Sequence, residues 1–330
     1  MTKELSIASV TLAYNAARLL PKQIDALLRQ SRPLDEIMVV NNGSTDGTLG
    51  VLSAKYPQVK VLDLPANIGA GGGYAAGLAY AAIEKKHDWV WLLDHDSIPM
   101  DDGLETLLQG LAKFEGSTES IGMLAPIAIH PGTHLAYPGM LWQRGWVRPR
   151  SGLSGQSLCF VDAVISSGSL VRREVVDKVG LPRADFFIDF VDFEYCLRIR
   201  RHSYKIAMVR DSHLDHAIGK PRTISILGYS KAWGGHAPWR EYYMSRNETF
   251  TIWTYYPDWK SKLSIFRRLL RHGTAILAFG EQKRACLRMM LVGFLDGRDG
   301  RLGIRFVPDE QNGAHTISAD PLLVTKSAPE

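Results

Sequence analysis

Residues 89–99 read W-V-W-L-L-D-H-D-S-I-P. Five large apolar residues run without alternation into two aspartates, Asp94 and Asp96, one position apart. A short unbroken apolar run fits a strand covered on both faces, as in a parallel sheet between helical layers. The two aspartates then stand where that strand leaves the core. In open α/β sheets, ligands bind outside the carboxyl ends of the strands. Two like charges held this close repel unless something positive lies between them. The rest of the sequence must supply a metal, a lysine or neither.

Working outward, the first half of the chain alternates strand and helix signals. Residues 5–13 read as an apolar strand ending near Asn15, followed by a helix through Ile24, Leu27 and Leu28. Residues 36–40 are a short strand that breaks at N-N-G-S-T-D-G-T. There Asn42-Gly43 signals a turn, and the Asn, Ser and Asp residues suit an Asx-type turn or the cap of a helix beginning near Thr48. Residues 59–64 are the next strand, after which N-I-G-A-G-G-G-Y opens an Ala-rich helix to Lys85, and residues 101–113 are again helical. Regular βα alternation predicts a largely parallel, doubly wound sheet.

Beyond Ile121 the pattern loosens. Residues 130–157 read as loops or a hairpin, 157–171 as one strand containing Ser166-Ser167-Gly168, 192–202 as a helix and 204–209 as a last strand. Residues 218–239, rich in Gly and Pro, read as a mobile loop, and from Trp239 the chain is helical and basic. The expected division is an α/β domain over residues 1–220 and a loop plus basic helical region over 221–330.

Composition narrows the classes. The chain is 45% apolar and 22% charged, ordinary for a globular protein. Residues 1–6 lack the basic start and apolar core of a secretory leader. No stretch approaches the roughly 18 apolar residues that span a bilayer. Cys159, Cys196 and Cys286 are far apart, which argues against a disulfide framework and a thiolate metal site. A cytoplasmic location is expected. The net charge of +5 is unevenly spread: residues 1–220 carry 23 basic and 24 acidic residues, residues 221–330 carry 16 and 10. A basic C-terminal third suits nucleic acid, anionic lipid or a phosphorylated ligand. It contains no recognisable nucleic-acid-reading module, and that role would leave the acids at 94 and 96 unexplained.

Three constellations carry candidate chemistry. Either Asp96 or Ser97 simply caps the helix near Asp101, or Asp94 and Asp96 bind Mg²⁺ or Mn²⁺, which take oxygen ligands and leave positions for phosphate oxygens. In F-F-I-D-F-V-D-F-E-Y-C-L-R-I-R, residues 186–200, Asp192 is either a helix cap or a general base among aromatics, and Glu194 can pair with Arg198 at i+4. In D-S-H-L-D-H-A-I-G, residues 211–219, His213 or His216 can complete a two-carboxylate metal site. A rival remains: Gly71, Gly73 and Ala76 fit G-x-G-x-x-A before a helix, with Asp94 about 20 residues on, the fingerprint of a NAD-binding dehydrogenase. Against it, six residues separate Leu64 from Gly71, and the fingerprint gives Asp96 no role. A non-catalytic binding protein is the third reading.

In this order the motifs resemble the inverting family-2 glycosyltransferases of GT-A fold, over about residues 4–220. V-T-L-A-Y-N is similar to the family's opening strand, I-M-V-V-N-N-G-S-T-D-G-T to its V-D-N-G-S-x-D-x-T, N-I-G-A-G-G-G-Y to its Gly-rich segment, L-L-D-H-D-S-I-P to its D-x-D motif and S-S-G-S-L-V-R-R to its acceptor-side strand. F-I-D-F-V-D-F-E-Y-C-L-R resembles the catalytic-base segment of bacterial rhamnosyltransferases, whereas the run Gly71-Gly72-Gly73 resembles galactofuranosyltransferases. The resemblance implies a Rossmann-like, mostly parallel sheet with a C-terminal helical extension. It also implies that Thr11, Asn15, Asn41 and Gly71 lie near the nucleotide. By the same resemblance, Asp94 and Asp96 hold Mn²⁺ or Mg²⁺ and the donor diphosphate, with His216 as third ligand, and Asp192 deprotonates the acceptor. The family's usual Asp is replaced by Asn41, which can both donate and accept. Arg240 and Arg246 are placed to reach the donor's phosphates, or are plain surface charges. The implied partners are a dTDP- or UDP-linked donor and a lipid-linked, bacterial cell-surface glycan as acceptor. Residues 260–305 carry 11 Lys or Arg against three acids. They suit either a helix on the anionic inner face of the cell membrane or a helical pair with a solvated basic edge.

Overall fold

A computed structural model describes residues 5–114, 116–143, 146–149, 157–217, 222–226, 229–233 and 235–307. Parts of the expected loops, at 150–156 and 218–221, and the end of the basic region beyond 307 lie outside them. Among the described residues the elements run β1 (Ile7–Ala13), α1 (Leu20–Leu28), β2 (Glu36–Asn42), α2 (Thr48–Lys55), β3 (Lys60–Leu64), α3 (Gly69–Leu78), β4 (Trp89–Asp94), β5 (Ser97–Pro99) and α4 (Gly103–Ala112). There follow β6 (Ile121–Ile129), β7 (Ala136–Tyr137), β8 (Met140–Gln143), β9 (Trp146–Pro149), β10 (Leu158–Val161), β11 (Leu170–Arg172), α5 (Arg173–Val179), α6 (Val191–Arg201) and β12 (Lys205–His216). The C-terminal third holds β13 (Arg222–Ile226), β14 (Tyr229–Trp233), α7 (Pro238–Tyr255), α8 (Trp259–Phe279) and α9 (Lys283–Arg298).

The chain forms two compact units. The first comprises Met1–Gln143, Val147–Arg183 and Asp192–Ile218; the second comprises Arg144–Trp146, Ala184–Val191 and Gly219–Glu330. In the first unit the main sheet has the order β10-β12-β6-β11-β4-β1-β2-β3, with β5 beside β12 and β7 beside β6. The neighbours β1/β2, β1/β4, β2/β3 and β6/β12 are parallel. β11 runs antiparallel between β4 and β6, so the sheet is mixed in its second half.

β4 shows why the apolar run does not alternate. Trp89, Trp91 and Leu93 face α4, packing with Leu104 and Leu107. Val90 and Leu92 face the other way, into the cluster that holds Tyr74 and Leu78 of α3. All five are at most 2% exposed, and burying each such side chain contributes on the order of 1.5–3 kcal/mol. The glycines of α3 bring that helix against the sheet. A Cβ at Gly73 would collide with Leu12, and one at Gly77 with Val10. The glycine run therefore serves close helix–strand packing.

Two expectations are corrected. Residues 157–171 form two strands, β10 and β11, because Gly168 turns the chain at φ +87° in a place where a Cβ would press on Pro126 and Leu214. The stretch expected as a loop at 218–239 carries an antiparallel hairpin, β13–β14.

The second unit is built on α7 against α9. A Cβ at Gly293 would strike the Tyr242 carbonyl oxygen, and one at Gly297 the Arg246 carbonyl oxygen, so these helices approach to backbone contact. Phe187, Tyr242, Tyr243 and Met289 form its core. Asp258 caps α8 by accepting from the Ser261 amide at 3.0 Å.

Candidate active site

The strands β1, β2 and β4 end together, in the register Leu12 opposite Asp94 and Ala13 opposite Asn41. Asp94 closes β4, and Asp96 sits just before β5, whose Ser97 pairs with His216 on β12. The short β5 therefore carries the end of β4 across to β12. Asp94, Asp96 and His216 each offer a ligand atom, all within 4.8 Å of one another. His216 Nε2 lies 3.5 Å from Asp94 Oδ2, and its Nδ1 lies 3.3 Å from Asp96 Oδ1. His213, an odd number of positions away on the same strand, projects to the other face. The sequence left the two histidines open; the geometry gathers His216.

Burial works against the His216 imidazolium, but the bond to Asp96 and the charge of Asp94 outweigh it and hold its pKa above the usual value. Burial likewise opposes the Asp96 carboxylate, and His216 outweighs that penalty and lowers its pKa. The imidazole thus lies beside two acids that favour its charged form, in a position a divalent cation also suits. Two carboxylate oxygens and one imidazole nitrogen are a fitting donor set for Mn²⁺, and the carboxylates alone for Mg²⁺. The capping role open to Asp96 is not taken, since α4 starts at Gly103 with no side-chain cap bond.

A hydroxyl network fixes this cluster. The Asp94 amide donates to Ser167 Oγ at 3.1 Å, Ser167 Oγ bonds Ser97 Oγ, and Ser97 Oγ lies 3.0 Å from His216 Nδ1. Tyr74 donates its hydroxyl to Asp94 Oδ1 at 2.7 Å. Its phenol is held protonated by burial first, then by Asp94, Asp96 and Asp192. Those three carboxylates thus act on one buried hydroxyl. Asp192 lies in the first turn of α6, where its Oδ1 accepts from the Phe193 amide at 2.9 Å. Glu194 is fully buried and bonds Arg198 at 2.8 Å, one turn on.

The remaining expected residues divide. Thr11 is buried and exchanges hydrogen bonds with Gln23 of α1, whose amide also reaches the Asp94 carbonyl at 3.4 Å. Asn15, at φ 47°, accepts from the Thr45 amide at 2.8 Å and so ties the end of β1 to the turn after β2. In that turn Asp46 Oδ1 accepts from the Thr48 amide at 3.1 Å, at the start of α2. Asn41 donates to Asp63 Oδ1 at 2.7 Å, while its own Oδ1 is buried without a partner among the described residues. Gly71 is buried within α3. In the second unit Arg240 forms a two-pronged pair with Asp189, at 2.8 and 2.9 Å. Arg246 is fully buried, and four of its donors go to Asn247 Oδ1 and the carbonyls of Asp185, Phe186 and Gly303. The phosphate role expected of Arg246 thus gives way to a structural one.

Tyr74, Ser97, Ser167 and Asp63 are not marked as site residues by the sequence. Only the position of Tyr74 at the end of the glycine run hinted at it, because its partner lies 20 residues on.

With this geometry the chain can be classed. The profile of glycosyl transferase family 2 matches residues 9–180, and the chain belongs to that family. It is similar to the dTDP-rhamnosyl transferase RfbF of Shigella flexneri, 25% identical over 90% of this chain and 97% of the other. It is also similar to the galactofuranosyltransferase GlfT1 of Mycobacterium tuberculosis, 28% identical over 75% of this chain and 82% of the relative. In fold it resembles GalNAc-T7, solved with UDP, GalNAc and Mn²⁺, at a TM-score of 0.61 and 15% identity over 91% of this chain. It resembles S. aureus TarS at a TM-score of 0.52 and 14% identity over 89% of this chain. The chain spans 57% and 54% of those two solved chains.

Proposed function

We propose that this glycosyltransferase moves a hexosyl group from a nucleotide-sugar donor to an acceptor hydroxyl in one inverting displacement. Rhamnose from a dTDP donor is the first choice, because the rhamnosyl relative aligns along nearly its whole length. Galactofuranose from a UDP donor is the second, supported by the GlfT1 relatives. The observation that carries the reading is the Asp94–Asp96–His216 cluster at the carboxyl edge of a parallel sheet.

Asp94, Asp96 and His216 would hold Mn²⁺ or Mg²⁺, and such a cation when bound neutralises charge on the donor diphosphate. Ser97, Ser167 and Tyr74 keep these ligands oriented, as outer hydrogen-bond partners do at metal sites. Asn41 and Asp63, opposite each other on β2 and β3, present a buried acceptor and an exposed carboxylate beside the expected base position. Asp192 takes the proton from the acceptor hydroxyl. As it does so, the hydroxyl oxygen forms a bond to the anomeric carbon, and the bond to the diphosphate oxygen breaks on the opposite face. General-base assistance of this kind contributes typically 10²–10⁴-fold. The acceptor in this reading is a lipid-linked glycan.

A panel of nucleotide sugars assayed for Mn²⁺- or Mg²⁺-dependent release of the nucleoside diphosphate tests the reading. Turnover of dTDP-rhamnose ahead of UDP-galactofuranose supports the first choice. Turnover of none, with any divalent cation and with acceptor lipids present, would sink it.

A further inference from the structure

α8 is inside out for a helix of a soluble unit. Trp259, Phe266, Leu270 and Leu277 follow one another at steps of seven, four and seven residues, which places them on one stripe of an α-helix. They are 68, 59, 62 and 55% exposed. The polar contacts face the other way. Arg268 pairs with Glu248, and His272 Nε2 meets Glu241 Oε2 at 2.7 Å, both on α7. Ser261, Ser264, Ile265, Gly273 and Ile276 are the buried residues of α8. A surface helix ordinarily buries its apolar stripe and exposes its charges.

Cations border the exposed stripe. Lys260, Arg267 and Arg271 are exposed beside it, and the 21 residues of α8 include no Asp or Glu. An apolar stripe edged by cations, in a helix without acids, matches the boundary between the headgroups and acyl chains of an anionic bilayer. Trp259 at the first turn suits the interfacial position that Trp favours. No helix among the described residues is long and apolar enough to cross a membrane, so the contact lies in the plane of the surface.

We propose that the outward face of α8 docks on an anionic lipid bilayer, with Trp259, Phe266, Leu270 and Leu277 inserted and Lys260, Arg267 and Arg271 at the headgroups. A second copy of the chain fits less well, because a symmetric pairing of this face would set its cations against each other. The proposal rests on the second unit alone and is independent of the transfer reaction.

The test is co-sedimentation of the full chain with vesicles of phosphatidylcholine alone and of phosphatidylcholine mixed with phosphatidylglycerol. Binding is expected to the mixed vesicles and to weaken with salt. Phe266→Ser with Leu270→Ser lowers the partition at least about tenfold. Arg267→Gln with Arg271→Gln lowers it roughly thirtyfold, at about 1 kcal/mol for each cation. Both doubles keep the wild-type melting temperature, since the changed side chains are exposed. The proposal is overturned if wild type stays in the supernatant when the mixed vesicles sediment, or if the first double sediments as wild type does. It is equally overturned if the same double instead abolishes a dimer formed without vesicles.

Discussion

Replacing Tyr74 with Phe isolates one hydrogen bond at the site. The ring stays packed among Leu12, Val40 and Leu78, and only the hydroxyl that donates to Asp94 Oδ1 at 2.7 Å is lost. A hydrogen bond to a charged acceptor contributes about 1.5–3 kcal/mol. The Asp94 side chain is 35% exposed, so water can partly replace the lost donor and the lower end, about 1.5 kcal/mol, applies. For a domain of this size that is a fall in Tm of roughly 3–6 °C. The larger effect falls on the cation, because Asp94 is free to swing away from Asp96 and His216. Outer partners of this type alter metal affinity by about 10–100-fold. Titration calorimetry of Mn²⁺ into wild type and variant, followed by thermal unfolding of both, reads the two effects. Tyr56→Phe is the control: its hydroxyl bonds Asp25 Oδ1 at 2.9 Å, so Tm should fall with Mn²⁺ affinity unchanged. A Tyr74→Phe protein that binds Mn²⁺ as tightly as wild type would show that this hydroxyl does not orient the cluster.

Asp192→Asn should lower transfer by about 10²–10⁴-fold while leaving nucleotide affinity within a factor of about two, measured by turnover and calorimetry; collapse of nucleotide binding instead would remove the base assignment. Asn41→Asp would set two carboxylates about 2.7 Å apart across β2 and β3. Like charges raise carboxylate pKa values, so the variant's penalty appears above its raised pKa and fades as the pH falls toward 4, read as a Tm difference that shrinks in acid. Gly293→Ala forces a Cβ onto the Tyr242 carbonyl and should cost about 1–3 kcal/mol by denaturant unfolding. Gly50→Ala, in α2 with nothing within 4 Å of its Cβ, should gain about 0.5–1 kcal/mol.

Local patterning made the first half of the fold legible. The strands at 5–13, 36–40, 59–64 and 89–93 each announce themselves by an apolar run with a turn signal after it, and parallel pairing follows from the helices between them. The acids at 94 and 96 were visible because they end such a run. What sequence spacing does not encode is which distant residue comes to meet them. β12 was read as 204–209, yet the strand continues to His216, because Ser212 and Leu214 pack inward through a stretch whose charged residues look like a loop. That continuation carries His216 to β5 and leaves His213 on the opposite face. The glycine run fits a dinucleotide fingerprint only loosely, and in the fold Gly73 makes room for Leu12 while Gly77, one turn on, makes room for Val10. Arg246 reads in the sequence as a phosphate-reaching or plain surface cation, since nothing there shows the three carbonyls that surround it.

The claim on which the account turns is that Asp94 and Asp96 bind the donor's diphosphate through a shared divalent cation. Calorimetric titration of dTDP and of UDP into wild type and Asp94→Asn/Asp96→Asn, with Mn²⁺ and then with EDTA, tests it directly. The account predicts nucleotide binding by wild type with Mn²⁺ only, and its loss in the double variant. Equal affinity in EDTA, or in the double variant, would contradict it.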